Sequence, residues 1–242
     1  MDQSENYKVT LVDDDQNITT SLKMTLKAEG FDVSVCHDGE AGYDSLTQDP
    51  PAVAVLDVKM PRMDGLELLQ KLRNQDYTSP IIMLTSKDDE VDELMGFRLG
   101  ADDYITKPFS QKLLIARIRA LIKRHSLVVQ APETKKADLP EKIERGDLIL
   151  DDSRHLCAWK GEPLNLTVTE YLLLKTLVAH PGHVKTRDQL MDAAYGDNIY
   201  VDDRTIDSHV KRIRKKFKNL DSTFDRIETL YGVGYKYRDD IA

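Results

Sequence analysis

Between residues 7 and 124 the chain alternates two hydrophobic patterns. Short, β-branched apolar runs at Val9–Val12, Val33–Cys36, Val53–Leu56, Ile81–Leu84 and Tyr104–Thr106 are bounded by Gly, Pro or Asp, as strands are. The segments between them place apolar residues three and four apart, most clearly in the series Ile18, Leu22, Leu26 and the series Leu113, Leu114, Arg117, Ile118, Leu121. Five strand–helix units follow. Strands that are apolar throughout are buried on both faces, so the pattern predicts a parallel sheet with helices on either side.

Periodicity stops at Ser126. The stretch 126–142, SLVVQAPETKKADLPEK, collects two prolines and several charges and reads as a linker. Gly146–Leu164 then alternates like a small antiparallel sheet with a turn at Lys160 and Gly161. Thr167 followed by Glu170 forms a capping box, which opens a helix running through Leu177 to the stop at Pro181 and Gly182. A second short helix is predicted over Thr186–Ala194, and a third from Asp203 to Lys218. Ile227–Leu230 and Tyr235–Tyr237 flank Gly232, Val233 and Gly234 as a β-hairpin. The reading is therefore an α/β domain over 1–125, a linker over 126–142 and an α+β domain over 143–242. The 242 residues suffice for a proper core in each.

Charge separates the two halves. Residues 1–125 carry 22 acids and 15 bases, net −7, whereas 126–242 carry 20 acids and 19 bases, net −1. Bulk charge thus repels nucleic acid, with one local exception: from Arg204 to Lys218 seven bases stand against the single acid Asp207. Cys36 and Cys157 fall one in each half, offer no disulfide framework and read as small buried apolar residues of a reducing compartment. No apolar run approaches the ~20 residues needed to cross a bilayer and the first residues lack a signal-peptide pattern, so the expectation is a cytoplasmic protein without a membrane partner.

The candidate chemistry lies where the apolar runs stop. In a parallel sheet the carboxyl ends of the strands share one edge, so Asp13, Asp14, Asp57, Thr85 and Lys107 are expected to meet in one crevice. Converging carboxylates are relieved by a bound cation or a raised pKa. Mg²⁺ suits Asp13, Asp14, Asp57 and a backbone carbonyl near Lys59, because it takes a few carboxylates, a carbonyl and waters and bridges phosphate oxygens. Asp57, ending the central strand, is placed to attack phosphorus, with Lys107, the Thr85 hydroxyl and the metal each neutralising a phosphoryl oxygen. A phosphohydrolase of the haloacid-dehalogenase type needs a second Asp two residues after its nucleophile, and that position is Lys59. No GxxxxGK[ST] is present, which excludes a P-loop hydrolase.

These residues, with the segment LDVKMPRMDG around Asp57 and the KPF motif at Lys107–Phe109, make residues 7–124 resemble the receiver domain of two-component response regulators. The resemblance implies a flavodoxin-like, doubly wound (βα)5 fold with a five-stranded parallel sheet, phosphorylation of Asp57 by a sensor histidine kinase and no turnover enzyme. It further implies an inward swing of Tyr104 on activation, and a homodimer formed through the face of the fourth helix, fifth strand and fifth helix.

In the basic segment Ile206, Val210, Ile213 and Phe217 make one apolar stripe, opposite Arg204, Ser208, Lys211 and Lys215, with Thr205, His209 and Arg212 alongside. A helix of this kind following a short helix has the form of a major-groove recognition element, and the hairpin at 227–237 stands where a wing would follow. The motifs LTVTEYLLL at 166–174, VDDRTIDSHVKRIRKKF at 201–217 and TLYGVGYKY at 229–237 make residues 144–238 resemble the winged-helix (helix-turn-helix) domain of the OmpR/PhoB class. Double-stranded DNA and RNA polymerase are the partners this implies. LTSKDDEVDEL, KPFSQKLL and YVDDRTIDSHVKRIRKKF look closest to ChvI-type regulators of alphaproteobacteria. The chain departs from the class at the wing, where Tyr231 replaces a common arginine, and in the last receiver helix, where Leu113 replaces a pairing Glu and Glu93 stands in place of its basic partner. Asp103 with Arg117, and Asp102 with Arg119 or Lys123, are the remaining candidates for dimer pairs. His180 and His183 read as turn residues, with no further ligand at metal spacing.

Overall fold

The structure, a computed structural model, describes residues 7–86, 99–129, 142–152, 154–195 and 204–238. The chain divides into two units, residues 1–122 and 123–242.

In the first unit β1 (Lys8–Val12), β2 (Asp32–Cys36), β3 (Val53–Asp57), β4 (Ile81–Ser86) and β5 (Asp103–Lys107) form a sheet of order β2-β1-β3-β4-β5, with every neighbouring pair parallel. Alternate residues of the strands serve two cores. Val9, Leu11, Val33, Val55, Ile82, Leu84 and Ile105 pack with Leu22 and Leu26 of α1 (Gln16–Ala28) and with Leu114, Ile118 and Leu121 of the last helix. On the opposite face, Val12 lies against Gly42 of α2 (Gly39–Gln48), where Leu68 of α3 (Gly65–Asn74) meets it. Each of these three helices starts at an aspartate cap: Asp15, Asp38 and Asp64 accept from backbone N–H groups of the first turn.

The last helix of this unit, α4 (Gln111–Val129), runs past the expected boundary at Ser126. The backbone of 126–129 is helical. The rest of the linker, residues 130–141, lies outside the described residues, as do the expected fourth helix and Glu93. Lys142 opens a strand instead of ending the linker. Leu113 is 41% exposed, so it does not join the apolar stripe of its helix.

In the second unit β6 (Lys142–Arg145), β7 (Leu148–Asp151), β8 (Leu156–Trp159) and β9 (Glu162–Pro163) form an antiparallel sheet. Among the described residues three helices follow, α5 (Val168–Val178), α6 (Arg187–Tyr195) and α7 (Arg204–Leu220), with β10 (Lys185–Thr186) before α6. β11 (Ile227–Leu230) and β12 (Gly234–Tyr237) make the hairpin, and β12 also pairs with β10. The capping box of α5 is formed as the sequence predicts, with Thr167 and Glu170 bonding reciprocally. Ile206, Val210, Ile213 and Phe217 are fully buried, and Phe217 stacks on Phe224 with Trp159 edge-on to both. Gly234 allows β12 to approach β10, since a Cβ there would sit 2.0 Å from the carbonyl oxygen of Lys185. Cys157 is buried, whereas Cys36, at the end of β2, is only half-buried because the strand leaves the core there. No helix among the described residues is long and apolar enough to cross a membrane.

Candidate functional site

Sheet register brings the predicted acids together. Val12 is level with Leu56, Asp57 with Leu84 and Ser86 with Lys107, so the residues ending β1, β3, β4 and β5 line one edge. One carboxylate oxygen from each of Asp13, Asp14 and Asp57 lies within 4.8 Å of the others. Asp13 and Asp57 are buried and Asp14 is exposed, so the cluster is open on one side. Lys107 Nζ bridges the two buried acids, at 2.6 Å from Asp57 Oδ1 and 3.0 Å from Asp13 Oδ2. The other oxygen of Asp13 accepts from the backbone N–H of Asp15 at 2.9 Å, which ties it to the cap of α1.

Burial pushes the Asp57 carboxyl up from the usual carboxylate range; the Lys107 ammonium pulls it back, and the charges of Asp13 and Asp14 push it up again. Burial by itself lowers Lys107, but its bonds to Asp57 and Asp13 outweigh that and its pKa is raised. Three carboxylates against one ammonium leave a net charge of −2, and one open acid beside two fixed ones is a donor set that fits a hard divalent cation. Thr85 is buried at the end of β4, beside Thr106 in register, and Tyr104 is buried in β5. Lys59 is exposed two residues beyond Asp57.

One residue that holds this site was not singled out in the sequence. A Cβ on Gly65 would lie 2.0 Å from the carbonyl oxygen of Asp57, and its N–H donates to the carbonyl of Val58 at 2.9 Å. The start of α3 is thereby pressed against the end of β3. The signal was present in LDVKMPRMDG, where Asp64 and Gly65 form a cap and a close approach just after the acid.

Residues expected to pair across a dimer have partners within the chain. Asp102 is fully buried, where Arg73 donates to it at 2.8 Å and the N–H of Ile81 at 2.9 Å. Arg119 pairs with Glu29 at 2.5 Å, and Arg117 with the buried Asp103 of its own chain at 3.2 Å. Spacing alone gave no sign of Arg73, which reaches Asp102, just before β5, from α3.

On α7 the outer face differs from the expected one. Lys211, Lys215 and Lys218 are exposed, as is Tyr231, 93% accessible at the hairpin tip beside Gly232 with its φ of +74°. Thr205, Ser208 and His209 are buried and do not face outward. His209 lies between the Tyr195 hydroxyl, 2.8 Å from Nε2, and Arg212, 2.6 Å from Nδ1. Arg212 in turn donates from Nε to the buried Glu170 at 3.0 Å, so it faces inward as well. The physical reason is angular: at 100° per residue His209 stands about 60° from Ile206, inside the apolar arc. Arg204 opens α7, and its side chain lies outside the described residues. Arg214, not among the expected contacts, donates to the carbonyl of Ile227 and to Thr229 Oγ1, joining α7 to the hairpin. His180 and His183 lie on the turn after α5, where His183 Nδ1 meets the carbonyl of Pro181 at 3.2 Å.

Comparison with known proteins agrees with this division. Residues 9–119 match the response regulator receiver domain, and residues 161–237 match the C-terminal domain of transcriptional regulatory proteins. The chain is 40% identical over 235 residues to the transcriptional regulatory protein YclJ of Bacillus subtilis, covering 96% of this chain and all of that one. It is 37% identical over 234 residues to the alkaline phosphatase synthesis transcriptional regulatory protein PhoP of Bacillus subtilis, covering 97% and 98%. A solved structure of a RitR mutant shares the fold, with a TM-score of 0.75 at 24% identity over 96% of this chain and 99% of that one.

Proposed function

Because this chain belongs to the response regulators of the OmpR/PhoB type, we propose that Asp57 is its phosphoacceptor and that phosphorylation there controls DNA binding by the second unit. The Lys107 bridge between Asp57 and Asp13, at the mouth of a three-carboxylate cluster, is the observation that carries this reading. Asp57 attacks the phosphorus of a phosphohistidine on a sensor kinase; the P–N bond breaks and its electron pair returns to the imidazole. Lys107 then exchanges a carboxylate oxygen for a phosphoryl oxygen, and the Thr85 hydroxyl takes another. Asp13, Asp14, Asp57 and the backbone carbonyl of Lys59 would hold Mg²⁺, which supplies charge neutralisation when bound. Tyr104 would couple the Thr85 movement to the surface of β5.

The chemistry is a single transfer and loss of the group, not turnover of a substrate. Acetyl phosphate with Mg²⁺ should give a phosphate-affinity gel shift for the wild type and none for Asp57→Asn. A shift that persists in the variant overturns the assignment.

DNA is engaged through the exposed Lys211 and Lys215, with Arg204 at the start of α7 and Tyr231 at the hairpin tip. Tyr231 offers a ring and a hydroxyl there, so charge anchoring in the minor groove is weaker than an arginine would give. A homodimer forms on phosphorylation through the surface of β5 and the helices beside it, with exposed Leu113 contributing an apolar contact. The buried Asp102 and Asp103 are spent inside each subunit. RNA polymerase is the further partner of such a regulator, and the cytoplasm is where kinase, DNA and polymerase meet. The narrower likeness to ChvI-type regulators gains no support from the two Bacillus relatives.

A further inference from the structure

We propose that Glu170 divides the bases of α7 into two electrostatic classes, so that Lys211, Lys215 and Lys218 neutralise DNA phosphates while Arg212 and Lys216 do not. This rests on the reading of α7 as the DNA-binding helix. Glu170 is fully buried at the third position of α5, where its Oε2 accepts from the N–H of Thr167 at 2.9 Å. From α7 it draws Arg212 Nε to Oε1 at 3.0 Å and Lys216 Nζ to Oε2 at 2.7 Å. Arg212 and Lys216 are four residues apart and share one face; Lys211 and Lys215 share the face about 100° round the helix. Lys216 is further held by the carbonyl of Asn165 at 2.7 Å, and Arg212 by His209. Among the described residues, Lys211, Lys215 and Lys218 make no ion pair, and all three are exposed.

Energetics keeps the classes apart. A phosphate that took Arg212 or Lys216 from Glu170 would leave a carboxylate buried with half its compensation gone, and a broken interior pair costs far more than an exposed ionic contact returns. Glu170 therefore withholds two charges of this helix and leaves three exposed lysines per subunit among its described side chains, beside Arg214, which is turned to the hairpin.

The salt dependence of binding separates this from a merely structural role. With the full chain and a generic 30-base-pair duplex, the slope of log affinity against log salt should fall by about 0.9 per subunit in Lys215→Gln and in Lys211→Gln. The neighbouring substitutions Lys216→Gln and Arg212→Gln should leave the slope unchanged, yet lower the melting temperature, which the first pair should not do. Equal slope losses in Lys215→Gln and Lys216→Gln would overturn the division while leaving the DNA reading intact. A flat salt profile in the wild type would instead remove the DNA reading itself. If Arg212→Gln does not fold, the Lys215 and Lys216 pair decides alone, because Lys216 is one quarter exposed and its replacement is tolerated more easily. Glu170→Gln, where folded, should steepen the slope by freeing two cations, and an unchanged slope there counts against the proposal.

Discussion

Asp57 must be ionised to act as a nucleophile, yet its burial beside Asp13 and Asp14 favours the protonated acid. A carboxyl whose pKa is raised on folding stabilises the folded state while protonated, and that stability is lost as pH rises through its ionisation. At neutral pH the charge on Asp57 therefore works against the fold, and Asp57→Asn should raise the melting temperature of the first unit by about 4 °C, or about 1 kcal/mol. Mg²⁺ should stabilise the wild type in the same melting experiment and have far less effect on the variant. A destabilised Asp57→Asn would show that the Lys107 bridge outweighs the repulsion. Glu170 has the opposite sign. Burial alone would raise it, but Arg212, Lys216 and the N–H of Thr167 hold it down to about 2. Its stabilisation is complete above the ordinary carboxylate range and is lost as pH falls from about 4.5 through 2, a change of about 3 kcal/mol for the second unit. Acid titration of the melting temperature should show this steep limb, and Glu170→Gln should flatten it.

At the scale of elements, the position of Asp57 depends on how closely α3 follows β3. Gly65→Ala forces a Cβ to within 2.0 Å of the Asp57 carbonyl oxygen, and this contact is backbone, which cannot turn aside. The variant should lose about 2 kcal/mol or more of stability, and its phosphorylation by acetyl phosphate should slow even where the unit remains folded. An unaffected phosphorylation rate would show that the α3 start does not position the acid. These strand ends were legible in the sequence because burial on both faces demands unbroken apolar runs, and parallel topology then sends Asp13, Asp57, Thr85 and Lys107 to one edge. The outer face of α7 was legible only in part. Periodicity found its stripe from Ile206 to Phe217, but it could not show that His209 and Arg212 border that stripe closely enough to be drawn inward. Glu170 illustrates the remaining gap. Its spacing from Thr167 announced a capping box, while its second role, receiving two bases from a helix some forty residues away, depends on tertiary packing that no local pattern encodes. Arg73, which pairs with Asp102 within the chain, is hidden from sequence for the same reason.

For the whole molecule, the sign of the phosphorylation effect is itself diagnostic. The chain carries a formal net charge of −8, and an acyl phosphate of about −1.5 to −2 in place of the Asp57 carboxylate adds up to about one further negative charge. If charge alone acted, phosphorylation would weaken binding to DNA, and the effect would fade as salt screens it. Tighter binding can arise only if the modified first unit changes the state of the protein, by pairing two chains or by releasing the second unit. Beryllofluoride, which mimics the acyl phosphate without covalent chemistry, makes the coupling measurable as an equilibrium. It should tighten binding to duplex DNA by about 5- to 150-fold, the range expected of a coupling of about 1–3 kcal/mol. Linkage then fixes the converse: duplex DNA must tighten the binding of beryllofluoride by the same factor. If dimerisation carries the coupling, the tightening should grow as protein concentration approaches the dimer dissociation constant from below, and sedimentation should show two chains per duplex. Unchanged or weakened DNA binding with beryllofluoride would make the first unit a passive partner, and DNA binding in this chain would then be independent of the Asp57 site.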